Sequence, residues 1–96
     1  MSLTGNETIL FVEDETPLRH LGRETLEQMG YTVLATDSPS EALRTAAAHP
    51  GEIQLLMTDV IMPEMNGQEL ASRLVKEYPG IRCLFVSGYT TDVFFS

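Results

Sequence analysis

Two short apolar runs of this chain stop on carboxylates, and that coincidence narrows the folds open to it. Ile9-Leu10-Phe11-Val12 ends at Glu13-Asp14, and the run from Ile53 to Met57 leads through Thr58 into Asp59. Short runs of this composition, bounded by polar residues, read as β-strands. Two such strands lying parallel in one sheet would deliver their acids to a single edge, which is where open α/β folds place their sites. Asp59 is followed by Val60-Ile61-Met62-Pro63, with Gly67 eight residues on. This is the outline of a metal and phosphoryl site.

The rest of the chain alternates strand and helix patterns. Residues 8–12 form the first strand, and Thr16-Pro17 opens a helix with a hydroxyl residue at the N-cap and proline in the first turn. Leu18, Leu21, Thr25, Leu26 and Met29 predict an inward face for that helix, and Gly30 ends it. Residues 31–35 read as a second strand. Ser38-Pro39-Ser40-Glu41 is a capping-box start, followed by a packing face of Ala42, Leu43, Ala46 and Ala47. Residues 53–58 are almost continuously apolar, as a central strand covered on both faces should be. Asn66-Gly67 starts a third helix with Leu70, Ala71, Leu74, Val75 and Tyr78 at helical spacing, and Pro79-Gly80 stops it. Residues 82–86 are a fourth strand. After Ser87-Gly88, Tyr89 to Ser96 are too few for another strand-helix unit.

Composition sets outer limits. The 96 residues, 43% of them hydrophobic, suit one domain spanning 1–96, with residues 1–6 as a disordered tail or a cloning remnant. Fourteen acids against six bases give a net charge of -8, with no basic cluster to neutralise phosphates, which argues against direct nucleic acid binding. No apolar run approaches the roughly 20 residues of a membrane span, and the polar start lacks a signal peptide's apolar core. The expectation is a cytoplasmic chain without membrane contact. The lone Cys83, set in an apolar strand, reads as a buried thiol.

Strand-helix alternation with short connections favours a parallel sheet with helices on both faces. Neighbouring strands lie about 4.8 Å apart, so Glu13, Asp14 and Asp59 can converge. Two carboxylates at about 5 Å repel by roughly 3 kcal/mol at an effective dielectric near 20, so the cluster calls for a cation or a proton. Oxygen donors without histidine or thiolate favour a hard ion, and Mg2+ suits phosphate chemistry.

The sequence resembles a response-regulator receiver domain, the phosphoacceptor module of two-component signalling. The matching residues are Val12-Glu13-Asp14-Glu15, Thr58-Asp59-Val60-Ile61-Met62-Pro63 with Gly67, and Val86-Ser87-Gly88, in that order across nearly the whole chain. Glu7-Thr8-Ile9-Leu10 and Ser87-Gly88-Tyr89-Thr90 are further similar to the C-terminal receivers of hybrid sensor histidine kinases. The resemblance implies a flavodoxin-like, doubly wound parallel sheet of strand order 2-1-3-4(-5), with the C-terminal unit truncated or missing. It assigns Asp59 as the acceptor of a phosphoryl group from the phosphohistidine of a histidine kinase or histidine phosphotransfer domain. It makes Asp14 and Asp59 direct Mg2+ ligands, with Glu13 acting through water and Ile61 through its backbone carbonyl. Ser87 would hydrogen-bond the phosphoryl group, and Met62-Pro63 and Gly67 would shape the adjoining loop. Such a domain is not an enzyme with turnover on a separate substrate.

The chain departs from the family at its end. Receivers carry a phosphoryl-pairing lysine and a switch aromatic on a fifth strand, whereas the single lysine here is Lys76, late on the third helix. The fourth strand then becomes an edge that can pair with a second copy, can be covered by Val93-Phe94-Phe95, or can be completed by another partner. The missing lysine also leaves open a degenerate receiver that serves as a protein-interaction module without phosphorylation. Plainer roles exist for single residues: Asp59 or Ser87 as helix caps, Glu15 as a helix-dipole partner, His20 and His49 as surface or packing groups, Tyr89 as an exposed turn aromatic. A magnesium-dependent phosphatase would need an acid two residues after its nucleophile, where Ile61 stands. A nucleotide site would need a glycine-rich loop where Glu13-Asp14-Glu15 stands.

Overall fold

Alternating apolar residues along the first strand already divide the molecule into two faces. In the computed structural model, which describes residues 5–62, 64–86 and the backbone of 93–95, β1 (Thr8–Val12) sends Leu10 and Val12 to one side and Ile9 and Phe11 to the other. It lies inside a sheet of order β2-β1-β3-β4-β5. Here β2 is Thr32–Thr36, β3 Leu55–Asp59, β4 Arg82–Val86 and β5 Val93–Phe95. The first four strands are parallel, in the order expected from the sequence, with Val12 opposite Thr58. The place beside β4 is not left bare. β5 pairs with it antiparallel, Leu84 opposite Phe95 and Val86 opposite Val93, so along these residues the β4 edge already has a partner.

Two helices, α2 (Pro39–Ala48) and α3 (Gly67–Glu77), close one face. Both start where short polar side chains satisfy free backbone donors. Ser38 Oγ accepts from the Glu41 amide at 3.2 Å, and Asn66 Oδ1 accepts from the Glu69 amide at 2.8 Å. Glu41 reaches back to the Asp37 amide at 2.8 Å, which completes the box one residue earlier than its usual form. Ala42 and Ala46 let α2 approach β1 closely, while Leu70, Ala71 and Leu74 of α3 meet Leu56, Cys83 and Phe85. Tyr78, just past α3, donates its hydroxyl to the Ala46 carbonyl at 2.7 Å and ties the two helices together.

The other face carries α1 (Thr16–Gln28). The inward face predicted for this helix is corrected here. Leu18, Leu21 and Met29 are 46%, 62% and 59% exposed, and α1 contains no buried residue. Contact with the sheet runs through Leu26 and through Gly22, which lies so close to the Phe11 ring that a Cβ would sit 2.6 Å from it. The N-cap is corrected too: it is Glu15, without a side-chain cap bond, and Thr16 is already helical. The Thr16 hydroxyl is engaged by Arg19 at 3.4 Å instead. Gly30 has φ +100°, and a Cβ there would collide with the Gly5 carbonyl, so glycine is required where α1 turns into β2.

Candidate functional site

The site is built where β1 and β3 end together. Beyond Val12 the β1–β2 ladder continues for one more bond, Glu13 N–H to Thr36 O at 3.0 Å, which holds Glu13 at the sheet edge. Its carboxylate Oε2 accepts from the Glu15 amide at 3.1 Å, and Arg19 Nη1 donates to its carbonyl at 3.0 Å. The Glu13-Asp14-Glu15 turn is thereby pinned at both ends. Asp59 is the last residue of β3, paired opposite Val86 rather than lying just past the strand. Carboxylate oxygens of Glu13, Asp14 and Asp59 lie within 4.8 Å of one another.

The loop after Asp59 is closed by three contacts, two of them to backbone carbonyls. Gly67 N–H donates to Val60 O at 2.7 Å, and Thr58 Oγ1 reaches Asp59 O at 3.1 Å and Met62 Sδ at 3.4 Å. A Cβ on Gly67 would collide with the Asp59 carbonyl, so only glycine lets α3 begin this close to the strand end. Ile61 sits in that loop with its side chain 86% exposed, a cost that a packing role would not explain. Pro63, Ser87 and Tyr89 lie outside the described residues. Lys76 stands in the last turn of α3, at the end remote from Asn66 and the acidic edge.

Electrostatics at this edge are unfavourable for the acids alone. Burial raises the Glu13 carboxyl from 4.5 to about 7, with the Glu15 amide opposing the rise and the charges of Asp59 and Asp14 adding to it. Asp59 is also raised, first by burial and then by the charge of Asp14. Desolvation and like charge both disfavour ionised carboxylates, and a bound cation reverses both. The donor set is all oxygen, which fits a hard divalent cation such as Mg2+. Two contributors escaped sequence reasoning. Arg19 braces the Glu13 carbonyl from the first turns of α1, and Glu64 bonds to Ser40, 24 residues away. No short-range pattern marks either contact.

Comparison with known proteins agrees with this geometry. The family described as response regulator receiver domain matches residues 9–95. Over 92 residues the chain is 44% identical to sensor kinase CckA of Brucella abortus (strain 2308), covering 96% of this chain and 10% of that protein. The chain thus spans about a tenth of that curated relative. The crystal structure of the receiver domain from hybrid histidine kinase CckA superposes with a TM-score of 0.71 at 40% identity, covering 88% of this chain and 78% of that one. Response regulator TrrA from Thermotoga maritima is 28% identical, with 88% of this chain and 71% of that one covered. It was solved with Mg2+ and BeF (TM-score 0.75) and with histidine kinase ThkA (TM-score 0.74). Among the described residues no helix is long and apolar enough to cross a membrane. With the family matched over residues 9–95 and the parallel 2-1-3-4 order in place, this chain belongs to the response-regulator receiver domains of two-component signalling.

Proposed function

We propose that residues 1–96 act as one phosphoacceptor unit of a phosphorelay, with Asp59 as the acceptor. The supporting observation is the convergence of Glu13, Asp14 and Asp59 within 4.8 Å at the end of two adjacent parallel strands. An Asp59 carboxylate oxygen attacks the phosphorus of a phosphohistidine, the P–N bond breaks, and an aspartyl phosphate and a free imidazole result. Asp14 and Asp59 would hold Mg2+ directly, with Glu13 acting by way of water and Ile61 through its carbonyl. Bound there, the ion would offset negative charge on the donor and acceptor oxygens, the main demand of phosphoryl transfer.

The chain's own residues do the rest. Arg19 and the Glu15 amide orient Glu13, Gly67 admits α3 against the Asp59 carbonyl, and Ser87 is assigned the hydrogen bond to the transferred phosphoryl group. The partner is a histidine kinase or histidine phosphotransfer domain on the cytoplasmic side, a reading supported by the likeness to CckA and by the TrrA–ThkA complex. The same likeness favours a chain that forms part of a hybrid kinase. Phosphorylation would change partner binding, and the domain would turn over no separate substrate.

Intact mass after incubation with Mg2+ and acetyl phosphate tests the proposal. The expected result is a Mg2+-dependent gain of one phosphoryl group that Asp59→Asn abolishes. A folded chain that gains nothing would overturn it in favour of a protein-interaction module.

A further inference from the structure

Glu64 is the sole non-glycine with positive φ among the described residues, at 76°. This left-handed conformation is sterically disfavoured for a side chain of its kind, so something must hold it. Its carboxylate supplies the restraint: Oε1 accepts from the Ser40 amide and Oε2 from the Ser40 hydroxyl, both at 3.1 Å. Ser40 lies in the first turn of α2, where free backbone donors and the helix dipole favour a carboxylate. The bond therefore fastens the loop between Asp59 and Gly67 to an element that contributes no acid to the site.

That same β2–α2 connection already holds the other half of the site. Thr36, the last residue of β2, accepts the Glu13 amide at 3.0 Å, and Glu41 caps the Asp37 amide at 2.8 Å. Residues 36–41 thus brace the Glu13 turn at one end and the Ile61-containing loop at the other.

We infer that Glu64 is a positioning residue: by clamping the loop to Ser40 it sets the distance between the Ile61 carbonyl and the carboxylates, and so the affinity of the site for Mg2+. The inference rests on the metal reading proposed above. Residues that orient metal ligands from outside the ligand set commonly alter affinity by roughly 10–100-fold when removed.

The test is a Mg2+ titration of the chain followed by amide chemical shifts, with Ser40 amide exchange as a direct readout of the clamp. Glu64→Ala removes the clamp and keeps the disfavoured φ. Glu64→Gly removes the clamp and relieves it. Glu64→Gln can still accept from the Ser40 amide and donate to its hydroxyl. Expected are roughly tenfold weaker Mg2+ binding in both Ala and Gly variants and rescue to within about twofold by Gln. Ser40 amide exchange should be faster in Ala and Gly. Glu64→Gly should also melt at a higher temperature than Glu64→Ala while binding Mg2+ no better, a split that a merely structural role would not produce. Mg2+ binding by Glu64→Ala within twofold of the unaltered chain, or an unchanged Ser40 exchange rate, would overturn the inference alone. An unaltered chain with no saturable Mg2+ shift, or one that Asp14→Asn leaves unchanged, would overturn the metal reading and this inference with it.

Discussion

The two faces of the sheet are built to different depths. On the α2/α3 side twelve described residues are buried in one cluster, from Leu10 and Val12 through Leu56 and Leu70 to Phe85. On the α1 side three are buried, Ile9, Phe11 and Leu55, while Met57 and Leu84 remain only partly covered and Leu21 faces solvent. Each of β1 to β4 carries apolar residues toward both sides, so the composition of these strands does not create the difference; among the described residues, the number of helices packed above each face does. The acidic edge belongs to β1 and β3, which supply residues to both clusters; its Glu13 turn leads into α1 and is braced by Arg19, and its second loop leads into α3 and is fastened to Ser40 of α2. The site thus draws on elements from both faces, and the thin side carries the exposed Leu18 and Leu21 of α1.

The comparison can be broken by mutation. Leu70→Ala, in the deep cluster and fully buried, should cost about 2–5 kcal/mol in urea unfolding. A loss near that of a surface site would show the deep face to be looser than its burial implies. Gly67→Ala sets a methyl group against the Asp59 carbonyl and should cost about 1–3 kcal/mol, together with weaker Mg2+ binding because β3 and α3 must separate. Unchanged thermal stability and Mg2+ affinity would contradict the tight packing assigned to that corner.

A smaller effect is expected from pH. With Glu13 raised from 4.5 to about 7, the folded chain binds more protons than the unfolded chain between these values. Stability without divalent cation therefore falls as pH rises through this window and levels off above it, and the raised Asp59 acts in the same direction. Glu13→Gln should flatten the slope, and so should saturating Mg2+, which favours the ionised form. Thermal melts across pH 4.5–7 measure it, and a slope that survives Glu13→Gln assigns it elsewhere. The smallest effect belongs to Leu21→Ala on the thin face, expected within about 0.5 kcal/mol of the unaltered chain. A loss of several times that value would mean that something covers the α1 stripe in solution.

Much of this was legible in the sequence, and the reasons are local. The acids stand just where the apolar runs of β1 and β3 give way to polar residues, so Glu13, Asp14 and Asp59 could be named as candidates from the chain alone. The caps at Ser38 and Asn66 were equally readable, because each bond spans three residues. The face assigned to α1 was misread because helical periodicity reports which residues share a stripe, not whether anything lies over it. Thr16 was misplaced as a cap because the helix begins one residue earlier: Glu15 holds the extended cap conformation and Thr16 is already helical.

By itself, then, the sequence determined the alternation of strands and helices, the starts of α2 and α3 and the acids at the strand ends, all set by dihedral preference and hydrogen bonds within a few residues. Only the tertiary structure decided that β5 runs antiparallel beside β4, that one face of the sheet is deeply buried and the other thinly covered, and that Glu64 reaches Ser40. Those outcomes depend on burial and on bonds between residues far apart in the chain, where each contact exists only after many others have brought its partners together.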